Sequence, residues 1–126
     1  MATDEDVLTS LDHYDNAVRR VADDFRARGA PIEPRQVRLD DLDSIVVDYS
    51  GVGQSDAYLG SLPNVASVEE AAVELADLLQ EEAIESGDVL WPGCLPGHSH
   101  PPTPRLANGT AVWACPKDGI VITRIG

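Results

Sequence analysis

The sequence predicts an α+β protein with two helices, a short β-hairpin and a C-terminal three-stranded β-meander. Three observations carry that prediction. Apolar residues recur at helical spacing over Asp4–Arg28 and Ser67–Ser86. Between them, Gln36–Ser50 alternates apolar and polar residues around an acidic turn. From Pro92 onward prolines forbid a helix, and Asn108-Gly109 is the strongest short hairpin signal in the chain.

In the first helix Val7, Leu11, Tyr14, Val18, Val21 and Phe25 form the stripe, widened by Leu8 and Ala22. Thr3 or Asp4 caps its start, Arg26 and Arg28 suit the negative end of the dipole, and Gly29 stops it. Pro31–Pro34 reads as a connector. Gln36–Leu39 and Ser44–Ser50 then form two short strands, with Ile45, Val47 and Tyr49 on one face and Val46 and Asp48 on the other. Gly51–Asn64, with three glycines and a proline, reads as a loop. Its Gly51-Val-Gly53 is no phosphate cradle, because no Lys-Ser/Thr follows.

The second helix opens on a capping box, Ser67 with Glu70. Its apolar face is Val68, Ala71, Ala72, Leu75, Leu78, Leu79 and Ala83. Glu74, Asp77, Glu81, Glu82 and Glu85 line the rest and repel one another, with no base in reach along the helix. After Gly87-Asp88 the meander is Arg105–Ala107, Thr110–Ala114 and Ile120–Ile125. The chain therefore divides into an acidic body, residues 1–88, and a β module, residues 89–126, packed as one compact domain.

Charge excludes one class of partner. The net charge is −13, and the thirteen acids between Asp40 and Asp88 face no Lys or Arg in that span. A phosphate backbone would be repelled, so generic nucleic-acid binding is excluded. No apolar run approaches the ~20 residues needed to span a bilayer. The acidic start, Met-Ala-Thr-Asp4-Glu5-Asp6, is unlike a secretory signal, so the expected compartment is the cytoplasm, where thiols stay reduced unless a metal holds them.

The stretch Trp91–Gly119 holds both cysteines, Cys94 and Cys115, and two of the three histidines, His98 and His100. Histidines at i, i+2 project to one side of an extended backbone. Cys94 folds back across a Pro-Gly bend, and Cys115 ends a strand. The pattern predicts a tetrahedral Zn2+ site of Cys94, His98, His100 and Cys115 that clasps a proline-rich flap onto the sheet, with Asp118 as an alternative to His100. Buried thiols, a disulfide in an exported chain, and ordinary loop histidines are the structural readings that stand beside the metal. Trp91 and Trp113 are expected to pack around the site.

Cys115-Pro116-Lys117-Asp118-Gly119 resembles half of a zinc-ribbon knuckle, Cys-Pro-x-Cys-Gly, with Asp118 at the place of the second cysteine. Cys94-Leu-Pro-Gly-His98-Ser-His100 departs from the family's Cys-x-x-Cys. The resemblance covers about thirty residues and implies a structural zinc in a small β-ribbon. The wider pattern (Trp91-Pro-x-Cys94, His98-x-His100-Pro, Trp113-x-Cys115-Pro and a terminal Arg124-Ile-Gly) is similar to a group of small actinobacterial proteins and implies no activity.

The function expected from these features is that of a small acidic accessory or adaptor protein with a structural zinc. It contacts a basic protein partner through Asp40, Asp41 and Asp43 and through Glu74, Glu81 and Glu85. A toxin-neutralising immunity protein or nucleic-acid mimic is the related alternative. A small metal-dependent hydrolase is the alternative from another class, with a zinc-held water served by Glu82, Glu85 or Asp88. No His-Glu-x-x-His helix or Gly-x-Ser-x-Gly turn supports catalysis.

Overall fold

The computed structural model describes residues 4–51, 54–87, 91–93 and 100–126. The elements run α1 (Asp4–Ala27), β1 (Ile32–Leu39), β2 (Ile45–Gly51), β3 (Gln54–Leu62), α2 (Val68–Gly87), β4 (Thr103–Ala107), β5 (Thr110–Ala114) and β6 (Val121–Arg124). They form two three-stranded antiparallel sheets, ordered β1-β2-β3 and β4-β5-β6. The α+β class and the C-terminal meander match the sequence reading.

The first sheet departs from it. It has three strands where the sequence suggested a hairpin. The stretch read as a loop holds β3, in register with β2 through Tyr49↔Ala57, Val47↔Leu59 and Val46↔Gly60. Gly60 disguised this strand, yet it is there for packing. A Cβ at that position would lie 2.7 Å from Val46 Cγ1, so only glycine lets the strands close. The supposed connector Pro31–Pro34 is likewise mostly strand. Pro34 sits in β1 beside a register shift that leaves Arg35 as the extra residue, which an edge strand tolerates.

In β2 the expected face is confirmed: Ile45, Val47 and Tyr49 are buried in the main core. In α1 the buried stripe is rotated from the expected one. Ser10, Tyr14, Ala17, Val21, Asp24 and Phe25 are buried, whereas Val7, Leu11 and Val18 are half-buried and Leu8 is 55% exposed. Polar side chains made that rotation unreadable, because Ser10 and Tyr14 are satisfied by distant backbone. The Ser10 hydroxyl accepts the Val65 N–H at 3.0 Å, and the Tyr14 hydroxyl donates to the Pro63 carbonyl at 2.6 Å. The Thr3 cap proposed for α1 lies outside the described residues.

At the start of α2 the Ser67 hydroxyl accepts the Glu70 N–H at 3.1 Å, as a capping box requires. The Glu70 carboxylate reaches back one residue further than usual, to the Ala66 N–H at 2.8 Å. Asn108 and Gly109 have φ of 51° and 78°, the pair of left-handed residues that a type I′ hairpin turn needs.

One core joins the two sheets. Its buried members include Tyr14, Phe25 and Leu75 from the helices, Val47 from β2, and Trp91, Trp113 and Ile125 from the C-terminal third. Trp91 packs tilted against Phe25, with 4.5 Å between ring centroids and 60° between planes, and meets Trp113 edge-on at 5.8 Å. Both indoles therefore belong to the core rather than to a ligand site. The buried Gln80 amide of α2 donates to the carbonyls of both Trp91 (3.2 Å) and Pro102 (2.7 Å). That one nitrogen holds the two ends of the proline-rich segment together.

Candidate metal centre and acidic face

Cys115 follows directly on β5, and its backbone is fixed on both sides. Trp113, two residues earlier, is wholly buried and donates its indole N–H to Asp24 Oδ2 at 2.8 Å. After the cysteine, the Cys115 N–H donates to the Ile120 carbonyl at 2.8 Å and the Gly119 N–H donates to the Cys115 carbonyl at 2.9 Å. Gly119 closes this knuckle with φ of 72°, a conformation that favours glycine. The thiol it presents is fully buried.

His100 comes from the chain just before β4, whose Thr103 pairs with Ala114, and lies two residues before the Pro102 carbonyl that Gln80 holds. Its Nε2 stands 3.2 Å from Cys115 Sγ. Two ligands of one tetrahedral zinc, bonded at about 2.0–2.1 Å for nitrogen and about 2.3 Å for sulfur, would stand about 3.5 Å apart. The pair thus lies close to the spacing of two ligands on one ion. Cys94 and His98, the other two predicted ligands, lie outside the described residues. Among the described residues no group of three or more His, Cys, Asp or Glu converges. Asp118 is exposed in the knuckle turn.

The acids proposed as a contact face are not brought to one place. Asp40 is an architectural residue: its Oδ1 accepts the N–H groups of Leu42 (2.8 Å) and Ser44 (2.9 Å), which shapes the β1–β2 turn. Asp41 and Asp43 are exposed, and Asp43 adopts φ of 60°. Asp43 borders a cavity with Val7, Leu8 and Leu39, whereas Glu81 and Glu85 border another on α2. Glu74 is half-buried, and its carboxyl is pushed up by burial and then by Asp77 and Glu70.

The second cavity, about 390 Å³, lies between α2 and β3 and is lined by Leu59, Leu78, Glu81, Glu82, Ile84 and Glu85. Glu82 is hydrogen-bonded to the Tyr49 hydroxyl, and burial followed by this carboxylate pushes the phenol up to about 12. Asp88, the third acid considered as a general base, lies outside the described residues. The sequence reading did not include Leu59 and Ile84. The signal for Leu59 was the alternation of Ala57 and Leu59 with Tyr58 and Gly60.

Two acids of the base-free span are neutralised from elsewhere in the chain. Asp48 accepts Arg38 Nε at 2.8 Å and Nη2 at 3.1 Å across the sheet. Glu69 takes both Arg20 terminal nitrogens, one at 2.8 Å, and the Ala111 N–H at 3.0 Å. The Arg20 hydrogen bonds hold the Glu69 carboxyl down at about 2, helped by the Ala111 N–H. Glu69 therefore serves the fold rather than a partner. Among the described residues Glu81 and Glu85 have no such base.

No helix among the described residues is long and apolar enough to cross a membrane. Compared with known proteins, the chain matches no family model, no curated protein and no solved structure.

Proposed function

We propose that this chain is a small zinc-stabilised accessory protein that acts by binding another protein in the cytoplasm. The observation that carries the metal reading is the approach of His100 Nε2 to the buried Cys115 Sγ, 3.2 Å apart across fourteen intervening residues. An imidazole and a thiol are the donor types zinc prefers, and Cys94 and His98 would complete the tetrahedron from the same flap. Burial of Cys115 favours a closed structural ion over one that keeps a position open for substrate. When bound, the ion would fix the flap to the knuckle after β5, and binding would release protons because the thiols must ionise. The contact function rests on the excess of acid, −13 overall, and on the Glu81 and Glu85 rim, where no salt bridge among the described residues relieves the repulsion.

Metal analysis of the purified protein tests this reading. One zinc per chain is expected, retained through gel filtration and lost in Cys115→Ser and in His98→Ala. Metal-free protein that is fully ordered and takes up no added zinc would overturn it. A metal that exchanges freely while the fold stays intact would point instead to the hydrolase.

A further inference from the structure

The two edges of the first sheet are unlike. β1 is blunted by Pro34, by the extra residue Arg35 and by α1 packed against it. β3 pairs with β2 on one side and with no other strand among the described residues. Beside this open edge runs the groove between β3 and α2. Its apolar wall is Leu59, Leu78 and Ile84, all half-buried, and its rim carries Glu81 and Glu85, both exposed. An open edge, an apolar wall and an unneutralised acidic rim thus coincide along one line.

We infer that β3 accepts an extended segment of the partner protein as a fourth strand, and that this segment alternates Lys or Arg with apolar residues. The inference rests on the protein-binding reading above and specifies its partner. Main-chain hydrogen bonds to the free edge of β3 supply the docking. Every second side chain of an added strand faces α2, on the side to which Ala57 and Leu59 already point. A Lys or Arg there lays its methylene stem over Leu59, Leu78 and Ile84 and sets its charge between Glu81 and Glu85. The charge of the rim selects this class, since an acidic segment would meet two carboxylates that no base among the described residues pairs.

The test uses an acetylated, amidated nine-residue peptide of alternating Lys and Val, titrated into the full chain and read by fluorescence anisotropy and amide hydrogen exchange. Binding is expected to strengthen at low salt and to slow exchange of the amides of residues 57–60. The double variant Glu81→Gln/Glu85→Gln should weaken it about 3- to 10-fold. Glu74→Gln, outside the groove, should leave it unchanged. A peptide N-methylated at every second amide, so that one edge cannot pair, should not bind, and this arm needs no protein variant.

Binding that survives N-methylation, or that weakens equally with Glu74→Gln, would overturn the strand-addition proposal and leave a diffuse acidic attraction, in keeping with the broader reading. No binding of the cationic peptide at any salt concentration would remove both.

Discussion

Asp24 does more at the scale of one residue than any position predicted as functional. It is buried in α1 and accepts four hydrogen bonds from three donors: Arg28 Nε at 3.1 Å to each oxygen, the Trp113 indole at 2.8 Å, and the Gly126 N–H at 3.0 Å. These bonds tie the first helix to the strand that presents Cys115 and to the last residue of the chain. Asp24→Asn keeps the shape but turns one acceptor into a donor and leaves the half-buried Arg28 without its charge. The expected loss is about 2–4 kcal/mol, read as a lower urea midpoint. A midpoint within error of the parent would show that Trp113 finds another acceptor. Sequence periodicity left Asp24 out of the apolar stripe of α1, because an apolar count has no means of recognising a carboxylate bound by Trp113 and Gly126, 89 and 102 residues away.

Elements meet at Glu69. This residue opens α2, pairs with Arg20 of α1 and accepts the Ala111 N–H of β5, so one carboxylate joins three elements. Its folded pKa of about 2 lies below the ordinary 4.5, so its contribution is complete above the unfolded value and drains away as pH falls from 4.5 towards 2. Glu69→Gln should therefore cost about 1–2 kcal/mol near neutral pH, and the gap to the parent should narrow at about pH 3. Urea midpoints measured at both pH values check this, and a gap constant with pH would show that the charge on Glu69 is not what matters. Legibility at this scale followed local chemistry. The Ser67 cap, the Asn108-Gly109 turn and the alternation of β2 were readable, because each is decided within a few residues. β3 was not, because Gly60 reports the closeness of Val46 on another strand.

Across the whole molecule, the C-terminal meander and the rest of the chain share one core through Phe25, Trp91 and Trp113. Of the candidate ligands, the structure brings His100 to Cys115, a proximity that spacing alone suggested. The acidic face was legible as composition but not as a surface, since Asp40 shapes a turn and Glu69 pairs with Arg20.

Gln80 gives the flap a further property. By binding the carbonyls of Trp91 and Pro102 with one nitrogen, it holds these two residues together without any ion. On the proposed zinc reading, much of the entropy of gathering distant ligands would then be lost on folding and not on metal capture, which would raise the effective concentration of the donors before Pro102 at Cys115. Gln80→Leu, which leaves every candidate ligand in place, should weaken zinc affinity about tenfold in competition with a colorimetric chelator. Unchanged affinity would mean that the ion gathers the loop by itself. On the proposed zinc reading α2, which contributes no predicted ligand, would set how tightly the metal is held.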